Sequence, residues 1–353
     1  CAGRIQHLPA SGWARLGAVT AIAAPSFAAL LLAAISGVIA PAVAATSCPA
    51  SPLPIRDLAL DRYYGDKTGS EVDPARKAAH ADATRPRVDY LRTVTDTADR
   101  AVARRDAAAA SCAAAWLEAW ARADALLGQM SGPQAQSQRK WDLAGLALAY
   151  LKIKPMLDTP TRAAIGPWLI RLADAAHAHA VESKSKRNNH WYWLGVSVGA
   201  TALATGSARH WDIARGIMAD AARDIAADGT LPLELQRGKR ALHYHAFSVT
   251  ALVTLAELGA ARGEDWTAAG DGALHRLVRA TVSGLADPAV FDRLAGVTQE
   301  RPVNPGSGWL ALYAARHPGR LPDTHPAIPA RHRWLGGDVR VLADVLARLQ
   351  SAP

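Results

Sequence analysis

The stretch Ala107-Ala108-Ala109-Ala110-Ser111-Cys112-Ala113-Ala114-Ala115-Trp116-Leu117-Glu118-Ala119-Trp120 decides the fold class. Alanine has the highest helix propensity, and a run of it offers no β-branched surface for a strand to use. The remainder of the 353-residue chain agrees: half of its residues are hydrophobic, β-branched runs are sparse and there are 3 phenylalanines. Apolar positions recur at helical spacing over residues 75–105, 110–128, 138–153, 160–182, 190–205, 209–227, 238–260, 267–285, 307–316 and 337–350. The Gly, Pro, Asp and Ser breaks between them are short, which joins neighbouring helices into antiparallel hairpins. We therefore expect an all-α protein, an incomplete α/α toroid of hairpins with a groove at one end. A plain helical solenoid is the alternative, and no strict repeat marks it. Ahead of the first helix, Pro49, Pro52 and Pro54 followed by Tyr63, Tyr64, Gly65 and Gly69 read as an irregular arm and loop.

Residues 1–45 have a different character. They hold no acidic residue, carry Arg4 and Arg15, run apolar from Leu16 to Ile39 and end on Ala42, Val43, Ala44 and Ala45. This is the layout of a signal peptide with a small-residue cleavage site, so the mature chain is expected to start near Thr46 and to form a single domain over residues 46–353. A retained membrane anchor is the competing reading, although Pro25 and Gly37 interrupt the apolar run. The expectation is a periplasmic or secreted protein, monomeric, with no stable membrane association once the leader is removed. Beyond the leader the cysteines are Cys48 and Cys112, an even pair in a chain bound for an oxidising compartment, and we expect them to form a disulfide rather than remain as two buried thiols.

The formal charge of +9 favours a polyanionic partner. Nucleic acid is not expected, because the basic residues are scattered among helices and no helix-turn-helix, finger or RNA-binding signature is present. An acidic polysaccharide suits the compartment. No metal site is expected with so few soft ligands, and no cofactor motif is visible.

Two segments interrupt the Ala and Leu background. In Lys186-Arg187-Asn188-Asn189-His190-Trp191-Tyr192-Trp193, Asn188 or Asn189 is a capping residue, which places His190 in the first turn of the next helix, where backbone N–H groups favour a carboxylate ligand. His190 and Trp193 are three apart and share a face. The bland reading is a capped helix with aromatic core residues. In the second segment, Leu231-Pro232-Leu233-Glu234-Leu235 leads to Arg240, His243, Tyr244 and Phe247 at helical positions i, i+3, i+4 and i+7. A guanidinium and a phenol on one stripe suit an anionic sugar; the bland reading is an Arg paired with Glu234.

Together these segments resemble polysaccharide lyase family 5, the alginate lyases, whose motifs N-N-H-x-Y-W and L-P-x-E-L…R-A-L-x-Y-H appear here in the same order and separation. The resemblance extends to Cys112 with Trp116-Leu117-Glu118-Ala119-Trp120, to Arg139-Lys140-Trp141, to Trp309-Leu310 with Tyr313, and to Leu335-Gly336-Gly337-Asp338-Val339. It covers most of the chain beyond the leader and implies an incomplete α/α toroid that cleaves a β-1,4-linked polyuronate by β-elimination, with polymannuronate as the first substrate class.

In such a reaction a base takes the proton at C5, beside the C6 carboxylate, and the 4-O glycosidic oxygen is expelled. A C5 proton next to a bare carboxylate is very weakly acidic, so the protein must neutralise that carboxylate, supply a base and supply an acid. The resemblance implies that Asn189 and Arg240 neutralise and that His190 is base or carboxylate ligand. It implies that Arg62 and Tyr63 contact substrate. Arg139, Trp141, Tyr192, Trp193, His245, Phe247 and Tyr313 are further candidates to line the groove. One departure stands out: the family carries a catalytic tyrosine seven residues after the motif arginine, and here that residue is Phe247, which has no proton to give. Tyr244, one turn earlier on the same face, is the expected substitute, with Tyr192 as a second. Trp334 stands where relatives carry an arginine. Three alternatives remain open: a glucuronan-type lyase, a non-catalytic polyuronate-binding protein favoured by Phe247, and a glycoside hydrolase, for which Glu234 and Asp212 form no convincing carboxylate pair.

Overall fold

The computed structural model describes residues 48–302, 308–321 and 327–351; the leader assigned to residues 1–45 lies outside them. The long helices are α1 (Pro74–Arg104), α2 (Ala107–Arg122), α3 (Ala135–Ile153), α4 (Thr159–Glu182), α5 (Asn189–Thr205) and α6 (Ala208–Asp224). The short α7 (Pro232–Leu235) precedes α8 (Ala241–Ala260), α9 (Ala269–Ala286), α10 (Ala289–Ala295), α11 (Trp309–Arg316) and α12 (Val339–Gln350). Their boundaries have local causes. Asp73, Asp106 and Asp158 accept hydrogen bonds from the third residue onward, capping α1, α2 and α4, and Pro74 and Pro160 sit where a helix has no need of an N–H. The fold is all-α, as expected. It departs from the periodicity in several places: the segment expected over 110–128 stops at Arg122, the one over 209–227 stops at Asp224, the one over 238–260 opens with a tighter turn before α8 starts at Ala241, and α7 and α10 lie outside the expected segments. Past Arg122, Asp124 and Leu126 take positive φ and the N–H of Leu126 donates to Ile55 O at 2.8 Å, so a tertiary contact ends the helix.

The packing is that of an α/α toroid. Helix α5 is buried on almost every side and contacts α3, α4, α6 and α8; α3 contacts α1, and α8 contacts α9, α11 and α12. Helices α2, α4, α6 and α9 keep exposed faces and form the outer layer. Close approach depends on small residues. A Cβ on Gly145 of α3 would lie 2.4 Å from Arg333 O, so only glycine lets the turn ahead of α12 settle on that helix. The first and last elements meet through buried charge. Lys152 donates to Asp99 at 2.5 Å and to Gly336 O at 2.6 Å, and the N–H of Asp338 donates to Asp99 at 2.7 Å. Arg87 and Asp142 pair between α1 and α3. Such pairs fix one arrangement more than they add stability.

The irregular arm is ordered by what it crosses. Trp116 and Trp120 of α2 donate their indole N–H to Pro49 O at 2.8 Å and Pro52 O at 3.1 Å. Two-residue strands β1 (Leu58–Ala59) and β2 (Met130–Ser131) pair in parallel, and Tyr64 forms an isolated antiparallel bridge with Val72. A second pair, β3 (Arg331–His332) and β4 (Gly337–Asp338), is antiparallel. Cys48 and Cys112 form the expected disulfide, pinning the arm to α2 across 64 residues of sequence. None of the helices among the described residues is long and apolar enough to cross a membrane.

Closing a loop of that length restricts the unfolded chain by an amount worth about 4 kcal/mol in the chain-entropy description. Cys48→Ser with Cys112→Ser is expected to lower the denaturation midpoint with little change in helical circular dichroism, measured against the oxidised parent.

Candidate active site

The two motif segments meet at the ends of α5 and α8. Asn188 caps α5 by accepting from the His190 N–H at 3.0 Å. Asn189 is fully buried, and both its backbone N–H, at 2.6 Å, and its side-chain Nδ2, at 2.9 Å, donate to one oxygen of Glu234 on α7. The other oxygen of Glu234 accepts from Arg237 at 3.4 Å. The start of α5 is thereby bolted to the segment that leads into α8. The Oδ1 atom of Asn189 is buried and has no hydrogen-bond partner among the described residues.

His190 faces a cavity of about 580 Å³ that is also bordered by Arg62, Tyr64, Ser137, Lys140, Arg237 and Tyr244. Its Nδ1 lies 3.3 Å from Ser137 Oγ, and its carbonyl accepts from Lys140 Nζ at 2.8 Å. Burial, then the positive charges of Lys140, Arg237 and Arg62, hold its pKa well below the usual value, so the imidazole is neutral. Lys67 and Lys186 add to the basic lining, against Asp66 as its one carboxylate. A smaller cavity of about 350 Å³ adjoins, bordered by Tyr63, Lys77, His80, Trp141, Arg333 and Trp334. Gln134 borders both cavities.

Three phenols and an arginine stand between the two spaces. Tyr244 donates to Tyr64 at 2.9 Å, Tyr64 donates to Tyr63 at 3.1 Å, and Arg240 Nη1 donates to the Tyr64 oxygen at 2.9 Å. The guanidinium of Arg237 lies 4.5 Å from the centre of the Tyr244 ring. Burial, followed by the neighbouring Tyr64, pushes the phenols of Tyr63 and Tyr244 above the ordinary tyrosine value, so both are protonated.

Of the residues singled out in the sequence, Arg62, Tyr63, Trp141, His190 and Tyr244 border one cavity or the other, and Asn189 and Arg240 lie directly behind that lining. The others are placed differently. Tyr192 is buried and its hydroxyl bonds Arg187 O and Asp224, bracing α5 on α6, so it is not available as an acid. Trp193 is fully buried and donates to Phe247 O at 3.2 Å; it packs in the core rather than on a sugar ring. His245 accepts from the Leu231 N–H at 2.9 Å and donates to Ala241 O at 2.8 Å, orienting the chain ahead of α7. Tyr313 bonds His275 at 2.8 Å, and Arg139 spends its guanidinium on Gln136 at 2.6 Å and Ala175 O at 3.0 Å. Phe247 sits against Trp141, Trp193 and Trp334 with ring centres 5.6, 5.1 and 6.2 Å away. Conversely, Tyr64, Lys140, Glu234 and Arg237 prove central. Glu234 and Arg237 lie within the second motif segment, whereas Tyr64 in the arm and Lys140 in the Arg139-Lys140-Trp141 stretch lie far from both motifs in sequence, without a spacing pattern of their own. Among the described residues no group of three or more His, Cys, Asp or Glu is placed to hold a metal ion.

The family model described as Alginate lyase matches residues 58–291 of this chain. A polysaccharide lyase of Stenotrophomonas maltophilia is 40% identical over 319 residues, 89% of this chain and 96% of that protein. An alginate lyase of Pseudomonas syringae is 31% identical over 314 residues, 84% and 83% of the two chains. Among solved structures, alginate lyase A1-III of a Sphingomonas species superposes with a TM-score of 0.72 at 24% identity, over 84% of this chain and 86% of its own. A variant of that enzyme solved with a tetrasaccharide gives a TM-score of 0.74 at 23% identity, over 85% and 88%.

Burial brings the Lys140 ammonium down to about 7, so the cavity loses a positive charge as pH rises through neutrality while His190 stays uncharged. Affinity for a polyanion is accordingly expected to fall several-fold between about pH 6 and about pH 8. Lys140→Arg, which keeps its charge, is expected to flatten that dependence in binding titrations at each pH.

Proposed function

The chain belongs to the alginate lyase family, and from that premise we propose that it cleaves a β-1,4-linked polyuronate, polymannuronate first, by β-elimination. The observation that carries this reading is a neutral His190 set in a basic cavity between the Asn189–Glu234 anchor and the Arg240–tyrosine cluster. Each part meets a need of the reaction. Arg240 has donors beyond the one given to Tyr64 and, with the cationic lining of Arg62, Lys140 and Arg237, neutralises the C6 carboxylate, while Asn189, enclosed behind that lining, anchors the start of α5 to Glu234. His190 accepts the C5 proton. The C5–H electron pair becomes the C4=C5 bond, the C4–O pair leaves with the glycosidic oxygen, and that oxygen takes a proton from the phenol cluster that contains Tyr244. Negative charge developing toward C6 meets fixed donors, which is electrostatic preorganisation. Arg62 and Tyr63 border the two cavities as substrate contacts, and Trp141 offers an aromatic surface in the smaller one.

The named relatives act on alginate or are polysaccharide lyases, and the tetrasaccharide-bound variant shows that the neighbouring enzyme accommodates an oligosaccharide. Glucuronan is the close chemical alternative, because it presents the same carboxylate beside C5. The second reading, a polyuronate-binding protein without turnover, is favoured by Phe247, whose ring lies among tryptophans with no hydroxyl in the usual place. In both readings residues 1–45 serve as an export leader and the chain works as a periplasmic monomer; the Cys48–Cys112 disulfide fits an oxidising compartment.

The test follows the ultraviolet absorbance of the conjugated uronate product with polymannuronate, polyguluronate and glucuronan in parallel. A rise is expected on polymannuronate, and His190→Ala or Arg240→Ala is expected to lower its rate by about 10²- to 10⁴-fold. Binding of polymannuronate without any rise on the three polymers would establish the binding protein instead.

A further inference from the structure

The geometry points to Tyr64 as the residue that gives its proton to the departing glycosidic oxygen, an assignment that rests on the lyase reading above. The acid must border the same space as the base, and Tyr64 and Tyr244 are the phenols that share a cavity with His190; Tyr63 borders the smaller one. Of those two, Tyr244 has its proton committed. Its hydroxyl donates to Tyr64 at 2.9 Å, and its other acceptor, Gly69 O, is 3.5 Å away.

Tyr64 is arranged the opposite way. Its oxygen accepts from two donors, Arg240 Nη1 and the Tyr244 hydroxyl, each at 2.9 Å. Its own proton points to Tyr63 at 3.1 Å, longer than an ordinary hydroxyl–hydroxyl bond of about 2.8 Å. Two donors on a phenol oxygen stabilise the phenolate left when the proton departs, and one of them is a permanent cation. The proton is thus held by the weakest link of the chain while the charge it leaves behind is met by the strongest.

The backbone that carries Tyr64 is fixed. Gly65 N–H donates to Glu71 O at 2.8 Å, Asp73 N–H donates to Tyr63 O at 2.9 Å, and Tyr64 bridges Val72. The backbone of this residue is therefore held by the segment just ahead of α1, apart from the helix on which Phe247 stands in place of a tyrosine. The step balances as follows. His190 takes the C5 proton, the C5–H pair forms the C4=C5 bond, and the C4–O bond breaks toward oxygen. The Tyr64 O–H bond breaks toward its own oxygen, and its proton joins the leaving group. Solvent then returns a proton to Tyr64 and receives one from His190. Tyr244 stays protonated throughout, as a donor to the phenolate.

The experiment uses the full chain and polymannuronate, with product absorbance for turnover and calorimetry for binding. Tyr64→Phe is expected to lower kcat by about 10²- to 10³-fold, with the dissociation constant of the polymer changed less than about threefold. Tyr150→Phe, at a phenol that borders neither cavity and donates to Arg162 O, is expected to leave most of kcat. Because a structural loss at position 64 would also slow turnover, 3-fluorotyrosine is placed there as a fold-preserving replacement. It lowers the phenol pKa and is expected to move the alkaline limb of kcat to lower pH, whereas the same label at position 150, outside both cavities, leaves the limb in place. A Tyr64→Phe protein that keeps more than about a tenth of kcat, or a limb that does not respond to fluorination at 64, overturns the assignment while the lyase reading stands. A parent protein that binds the polymer and releases no unsaturated product overturns both.

Discussion

The site depends on one buried carboxylate. Glu234 is fully enclosed, yet its oxygens accept from the backbone and side chain of Asn189 and from Arg237. Burial alone would push this carboxyl toward its neutral form, and the positive charge of Arg237 with the two bonds from Asn189 oppose that. A buried ion left without partners costs several kcal/mol, so α5 and α7 have one mutual placement in which the charge is satisfied. That placement fixes three things together: His190 toward the cavity, the Asn189 amide behind it, and Arg237 over the Tyr244 ring.

Much of the architecture was legible because helices announce themselves. The boundaries of α1, α3, α4, α5 and α12 fall within a few residues of the periodic segments, since cap residues such as Asp73, Asp158 and Asn188 stand where the pattern begins. The pattern failed where tertiary contacts overrule local preference. Leu126 takes a left-handed conformation that its own propensity resists, because the arm offers its N–H the carbonyl of Ile55. Helix α7 is four residues long, too short for any period to show.

The site was legible in part, and the division has a physical logic. Asn189, His190 and Tyr244 lie in the first turns of regular helices and Arg240 in the turn directly ahead of α8, so their spacing carries geometric meaning. Tyr64 lies in an irregular segment, where adjacent positions in the sequence say nothing about direction; only the fold reveals that Tyr63 and Tyr64 face different cavities. The aromatic residues misled in the opposite sense. Trp193 and Tyr192 follow His190 closely, but on a helix those steps turn the side chains inward, onto Phe247 and Asp224. The deciding factor was whether the side chain borders a cavity or is enclosed by its neighbours.

The arm sets an order on how the protein comes together. Its first described residues emerge early in synthesis, yet Cys48 waits 64 residues for Cys112, and Pro49 and Pro52 wait 67 and 68 for the indoles of Trp116 and Trp120. Until α2 has formed, this stretch has nothing to fold against and stays extended. The arm is therefore held once the second helix is in place, well before Asp99 can meet the N–H of Asp338, 239 residues further along the chain.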